Sequence, residues 1–161
     1  MIMIKKRIPA KLRRLVRRRA RGFCEYCGYC EYCICPEFCA TQLHSVEHIE
    51  PESLGGSSDE DNLALACQGC NGSKSNKTRA LDPATGIEVL LFHPRDDDWH
   101  EHFAWSPDHL YLIGLTPTGR ATIRELELNR EGVTHLRRLL LLNNEHPPSH
   151  RSLRVGASPS E

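Results

Sequence analysis

No stretch of 18 uninterrupted apolar residues occurs anywhere in the 161-residue chain. A bilayer-spanning helix needs about 20, so no membrane span is expected. The opening MIMIKKRIPAKLRR lacks the apolar run of a signal peptide. A soluble, cytoplasmic protein is the expectation, with no membrane among its partners. Aromatic residues are scarce, at 6%, and the apolar core they help build should be small enough to need a supplementary staple. Net charge is also absent, at zero, which by itself points to no charged partner.

What the chain has instead is cysteine, eight in all. Nothing exports the chain to an oxidising compartment, and disulfides need one. The spacing also points elsewhere. Cys24-Cys27, Cys30-Cys33 and Cys67-Cys70 are three CxxC pairs, with Cys35 and Cys39 left over. CxxC lets two thiolates of one tight turn reach the same ion, and two such pairs make a tetrahedral zinc site with Zn–S of about 2.3 Å. A structural zinc is therefore expected in place of a disulfide framework or a redox pair.

The zero net charge hides a polarity. Residues 1–21 hold 10 of the 21 Lys and Arg residues and no acid, so the remainder of the chain is acidic. A basic segment on an acidic body is the pattern of a polyanion-binding arm. Pro9 suits the start of a helix. Leu12, Leu15 and Val16 follow at i, i+3 and i+4 and give a helix over 10–20 with a narrow apolar stripe and a wide basic face. Arg13, Arg14, Arg17 and Arg18 on that helix are the candidate nucleic-acid contacts. A solvated surface helix that merely packs on the domain is the plainer alternative.

Farther along, residues 41–50 read as a strand, ended by Pro51 and a loop carrying Gly55-Gly56. Residues 62–67 (NLALAC) read as a second strand, and 71–80 as a helix, making a ββα unit. Residues 88–92 and 110–115 have strand character. Thr118 is a candidate cap for a helix carrying Ile123 and Leu126, and Val133, Leu136, Leu139 and Leu140 predict a final helix. Trp99, Phe103 and Trp105 are candidates to cap the core. From His146 the Pro, Ser and Gly content predicts a disordered tail.

The chemistry concentrates in residues 46–78. Glu47 and His48 end one strand, Asn62 opens the next, and Asn71 follows a CxxC at the mouth of a helix. A carboxylate and an amide oxygen are suitable hard ligands for Mg²⁺ or Mn²⁺, leaving positions for water and phosphate. His48, with an ordinary pKa of about 6.5, suits the deprotonation of an attacking water near neutral pH. Asn62 would tie down the loop and hold His48 in place. Lys74, one turn into the helix, could touch a phosphate. For Asn71 the competing role is a helix cap. His44, on the same strand, reads as a surface residue.

The ordered elements EHIEP, GG, DNLALAC and CQGCNGSK resemble the HNH endonuclease family, in its branch with a Cys₄ zinc and a CxxCNxxK helix. The resemblance is strong over residues 24–80 and weaker through LDPATG, LFHPR, DDWHEHFAW and GLTPTGRATI. It implies an α+β chain with a zinc-stapled, treble-clef-like ββα-metal core (23–82), preceded by a basic arm (1–22). An α/β extension (83–145) and a tail (146–161) would follow. It implies His48 as general base, Glu47 as metal ligand and Asn62 as the middle Asn of the motif. Asn71 stands where the last His of the name would be, as the second ligand of a Mg²⁺ or Mn²⁺ ion. The implied partner is DNA, cut at its phosphodiester bonds, and no obligate protein partner is required. The doubled CEYC departs from the pattern. In the resembling subgroup one CEYC is followed by a short Pro-containing stretch, which fits Cys30, Cys33, Cys67 and Cys70 as the zinc set. Cys24 and Cys27 are the alternative first pair. The rival reading is a zinc-ribbon-like module that binds nucleic acid without cutting it.

Overall fold

The computed structural model of the chain describes residues 7–26 and 36–147. Helix α1 spans Ala10–Ala20, as its apolar spacing predicts. Pro9 precedes it with φ −56°, and Arg21 and Gly22 end it in left-handed conformations. Three arginines in its last turn oppose the partial negative charge of the helix C-terminus. Strand β1 (Ser45–His48) pairs antiparallel with β2 (Leu63–Ala66), Glu47 lying opposite Ala64 and His48 opposite Leu63. Helix α2 (Gln68–Lys74) follows directly.

All four residues of β2 are buried, two to each side. Leu63 and Leu65 join Val16 and Ala20 of α1, with Ile8, Leu12 and Val46 at the margin. Ala64 and Ala66 belong to a larger cluster that includes Cys24, Tyr26, Cys67 and Cys70 and continues into Phe92, Phe103, Leu112 and Leu128. The two-residue alternation of a strand thus makes β2 the shared wall between the basic helix and the main core.

The sequence reads as a helix over 71–80. The structure starts it three residues earlier, with Cys67 as the cap whose Sγ accepts from Cys70 N, and ends it at Lys74. Ser75 takes φ 50°, and the chain then enters β3 (Arg79–Leu81), paired with β4 (Glu88–Leu90). Backbone pairing with a strand seven residues away overrides the local helical tendency here.

Beyond β4, α3 (Trp99–His102) runs into β5 (Phe103–Trp105), which pairs with β6 (Leu112–Gly114). Helix α4 (Pro117–Glu125) is capped by Thr116, not Thr118: Thr116 Oγ1 accepts from Gly119 N at 3.1 Å and Pro117 takes the first helical position. Helix α5 (Glu131–Leu142) closes the described chain. Trp99 and Phe103 are buried as expected of core caps, and Trp105 is partly buried against the same cluster. His146, placed in the tail by composition, is 4% exposed, edge-on to Trp105 at 4.7 Å. The remainder of the expected tail lies outside the described residues. No helix among the described residues is long and apolar enough to cross a membrane. The chain is a mixed α+β protein of two-stranded antiparallel sheets, five α-helices and three short 3₁₀ turns among the described residues.

Candidate metal and catalytic site

Three buried thiols converge. The Sγ atoms of Cys24, Cys67 and Cys70 lie within 4.8 Å of one another. Cys67 and Cys70 come from the first turn of α2, and Cys24 from the segment just after α1. Arg130, at the start of α5, donates to Cys67 Sγ at 3.3 Å and to Cys70 Sγ at 3.8 Å. Its guanidinium lies so close over Gly69 that a Cβ there would sit 2.4 Å from it. A soft tri-thiol set faced by a cation and a helix-start amide has the chemistry to hold zinc as thiolates. Cys24, the alternative member of the expected set, is the one placed here. Cys27, Cys30, Cys33 and Cys35 lie outside the described residues, and Cys39 is exposed.

Glu47, on β1, has a largely buried side chain. Its Oε2 lies 3.7 Å from Lys74 Nζ, and its Oε1 is buried without a hydrogen-bond partner. Burial pushes its carboxyl up to about 7, against the opposing pull of Lys74 and then of Tyr26. Tyr26 is 1% exposed, and its hydroxyl is driven well above its ordinary range by burial and by the Glu47 carboxylate. A buried carboxylate oxygen with nothing to bond costs on the order of 1–3 kcal/mol, and a cation in the groove would satisfy it. Glu47 therefore fits a metal ligand.

Lys74 does not present its ammonium to solvent as the phosphate-contact expectation required. It is 2% exposed, donates to the His48 carbonyl at 3.2 Å and lies over the Tyr26 ring at 5.7 Å. Burial lowers its pKa while Glu47 raises it. Its position on α2 turns it inward, where it fixes the backbone of β1 and faces Glu47.

His48 Nε2 is 2.9 Å from Ser58 Oγ and 3.9 Å from Glu52 Oε1. Both partners ride on the loop between β1 and β2, and Asn62 clips that loop. Asn62 Oδ1 accepts from Glu50 N at 2.8 Å, and its Nδ2 donates to Glu50 O at 2.9 Å and Ser57 O at 2.7 Å. The two glycines permit the turn for different reasons. Gly55 takes φ 96°, and a Cβ on Gly56 would lie 1.9 Å from the Glu50 carbonyl oxygen. Asn62 therefore acts on His48 through the loop, not by a direct bond.

Glu47, His48, Glu52, Asn71 and Arg7 line one open groove of about 1170 Å³. Asn71 is inside α2, so the competing role of helix cap falls to Cys67. The basic arm divides. Arg17 donates to Glu37 Oε2 and to the His44 carbonyl, both at 2.6 Å, and Arg19 donates to the Glu60 and Leu63 carbonyls. Arg13 is half-buried, whereas Arg14 and Arg18 are exposed. His44, read as a surface residue, is 1% exposed, because its backbone is held between Arg17 and Glu37.

Residues 30–77 match the HNH endonuclease family. No curated protein and no solved structure matches the chain. The HNH match takes in Glu47, His48, Asn62, Asn71 and the Cys67-Cys70 pair, and begins at Cys30, so it leaves Cys24 outside. The match begins at the second CEYC, while the fold brings a thiol of the first one to the start of α2.

Four contributors escaped sequence reasoning. Tyr26 was hidden as the spacer of a CxxC, although an aromatic between two metal-type cysteines is a usable signal. Ser58 and Glu52 looked like ordinary loop residues. Arg130 stands 60 residues from Cys70 in the chain, and nothing local marks it.

Proposed function

We propose that the chain is a metal-dependent HNH endonuclease that hydrolyses DNA phosphodiester bonds on a ββα-metal, treble-clef-like core. That core would occupy 23–82, between the basic arm 1–22 and the extension 83–145. The observation that carries this reading is the buried carboxylate of Glu47, next in sequence to His48 and in one groove with Asn71. A structural domain or a plain nucleic-acid binder has no need of such a set.

His48 is the general base. It takes a proton from a water that attacks phosphorus in line, an O–P bond forms, and the bond to the leaving 3′ oxygen breaks. Ser58 steadies its ring through Nε2, and Asn62 keeps Ser58 there by clipping the loop. A Mg²⁺ or Mn²⁺ ion held by Glu47 and Asn71 would supply stabilisation for the negative charge that develops on the phosphate and the leaving oxygen. Lys74 keeps Glu47 oriented and its charge balanced. Zinc at Cys24, Cys27, Cys67 and Cys70 would pin the start of α2 to the segment after α1. Cys24 is the thiol that lies beside the second pair, and Cys27 completes it by CxxC spacing in place of Cys30 and Cys33.

The test is cleavage of supercoiled plasmid with Mg²⁺, Mn²⁺ or EDTA. Wild type should cleave with a divalent ion and stop in EDTA, and His48→Ala should lose cleavage while keeping zinc and DNA binding. Undiminished cleavage by His48→Ala overturns the assignment of the base. Binding by the wild type with no cleavage under any metal leaves a non-catalytic zinc-ribbon-like module in its place.

A further inference from the structure

Within the arm, the arginines engaged internally and those left outward fall on different faces of α1. Arg7, Lys11, Arg14, Arg18 and Arg21 are all exposed, at intervals of four, three, four and three residues. At 3.6 residues per turn, that spacing keeps the three helical members within roughly 60° of one another on one face. Arg17 and Arg19 lie off this line and are tied to backbone carbonyls of the core. No acid among the described residues forms an ion pair with any of the five. At the N-terminal end of the line, Arg7 lines the groove that holds Glu47 and His48. Three cations are thus fixed on one face of α1, and Arg7, three residues before its start, lines the candidate catalytic groove.

The geometry points to a track for the phosphate backbone of duplex DNA, along which one strand is led to His48. This deepens the nuclease reading and rests on it. Lys11 to Arg18 covers about 10 Å at 1.5 Å per residue, the axial length of about three phosphates of one duplex strand. Two observations favour duplex over single-stranded nucleic acid. A fixed helical row suits the regular phosphate spacing of a duplex. Single-strand binders commonly stack bases on large aromatic rings, and the 13 residues lining the groove include no Phe, Tyr or Trp. The row also consists of exposed point charges without a buried reading pocket, so backbone contact independent of base sequence is the expected mode.

Binding is measured by anisotropy with a labelled 30-base-pair duplex at stepped salt, using the full chain carrying His48→Ala so that the DNA stays intact. Replacing Lys11, Arg14 and Arg18 together by Gln should weaken binding at least tenfold. It should also flatten the plot of log K against log salt by about 2–3, since each lost phosphate contact removes about 0.9. Arg14→Lys with Arg18→Lys should keep the slope, because a phosphate accepts a point charge. Arg17→Gln should lower the melting temperature and leave the slope alone. An unchanged slope in the triple Gln variant overturns the track. Loss of the slope in the Lys variant overturns backbone recognition in favour of base reading, and tighter binding to the single strand overturns the duplex. These outcomes are separate from failure of the nuclease reading, which shows as intact plasmid with wild type at every metal.

Discussion

Asn62 offers the sharpest test of how the loop between β1 and β2 is held. Its side-chain amide makes three hydrogen bonds with fixed polarity: one acceptor for Glu50 N, and two donors for the carbonyls of Glu50 and Ser57. Only an amide meets that pattern. Replacement by Ala removes all three, and since each is worth about 0.5–1.5 kcal/mol net and water reaches this half-exposed site, a loss of about 1–2 kcal/mol is expected. Replacement by Asp is nearly isosteric and keeps the acceptor for Glu50 N. It sets an anionic oxygen against two carbonyls, however, and should cost about 2–3 kcal/mol, on the order of 5–10 °C in melting temperature for a domain of this size. The loop carries Ser58 and Glu52, the two side chains beside His48 Nε2, so plasmid cleavage should fall in both variants, by tenfold or more for Asp. Calorimetry with zinc saturated and initial cleavage rates are the assays. An Asp variant that melts and cleaves like the wild type refutes the clip.

Three further outcomes follow from other parts of the structure. Glu25 is fully buried, salt-bridged to Arg95, 3.7 Å from Arg19 and bonded to Leu65 N at 2.6 Å. Glu25→Ala removes the buried carboxylate that faces Arg95 and bonds Leu65 N, and should lower stability by about 3 kcal/mol, read as a drop in urea midpoint. Cys24→Ser should abolish bound zinc by atomic absorption while Cys30→Ser retains it, and the reverse result would restore Cys30 and Cys33 as the first pair. His146 is buried, and burial lowers its pKa to about 4. The unfolded chain binds this proton at higher pH, so the contribution to stability is full above about 6.5 and is lost as pH falls toward 4. Between pH 7 and 4, the wild type should lose on the order of 2 kcal/mol more than His146→Gln, and equal losses would place His146 in solvent.

Much of the candidate site was legible because its chemistry is local. Glu47, His48, Asn62 and Asn71 fall within 25 residues. Strand alternation, two glycines and a CxxC ahead of a helix are short-range signals that need no partner to be read. The helix over 10–20 was legible for the same reason, since Pro9 and the apolar spacing of Leu12, Leu15 and Val16 act within a few turns. The helix expected over 71–80 stops at Lys74, and residues 79–81 instead pair with Glu88–Leu90, a contact that local propensity does not encode. His146 was misjudged likewise: composition marked a tail, and the Trp105 ring and the His109 carbonyl made it part of the core.

By itself, then, the sequence determined which chemical groups the protein owns and roughly which elements carry them: thiols in CxxC pairs, a Glu-His dipeptide, two asparagines, and an acid-free basic helix. Tertiary structure decided which way each group faces. Lys74 turns from phosphate toward Glu47 because the packing of α2 buries its ammonium, and Arg17 turns from solvent toward Glu37 and the His44 carbonyl. Cys24 stands with Cys67 and Cys70 because the chain after α1 crosses β2, where Glu25 N bonds the Leu65 carbonyl at 2.7 Å. Side-chain identity is a property of one position. Burial and electrostatic partnership are properties of pairs that meet only when distant segments pack, and the division of the basic arm into anchors and a free row rests on such pairs.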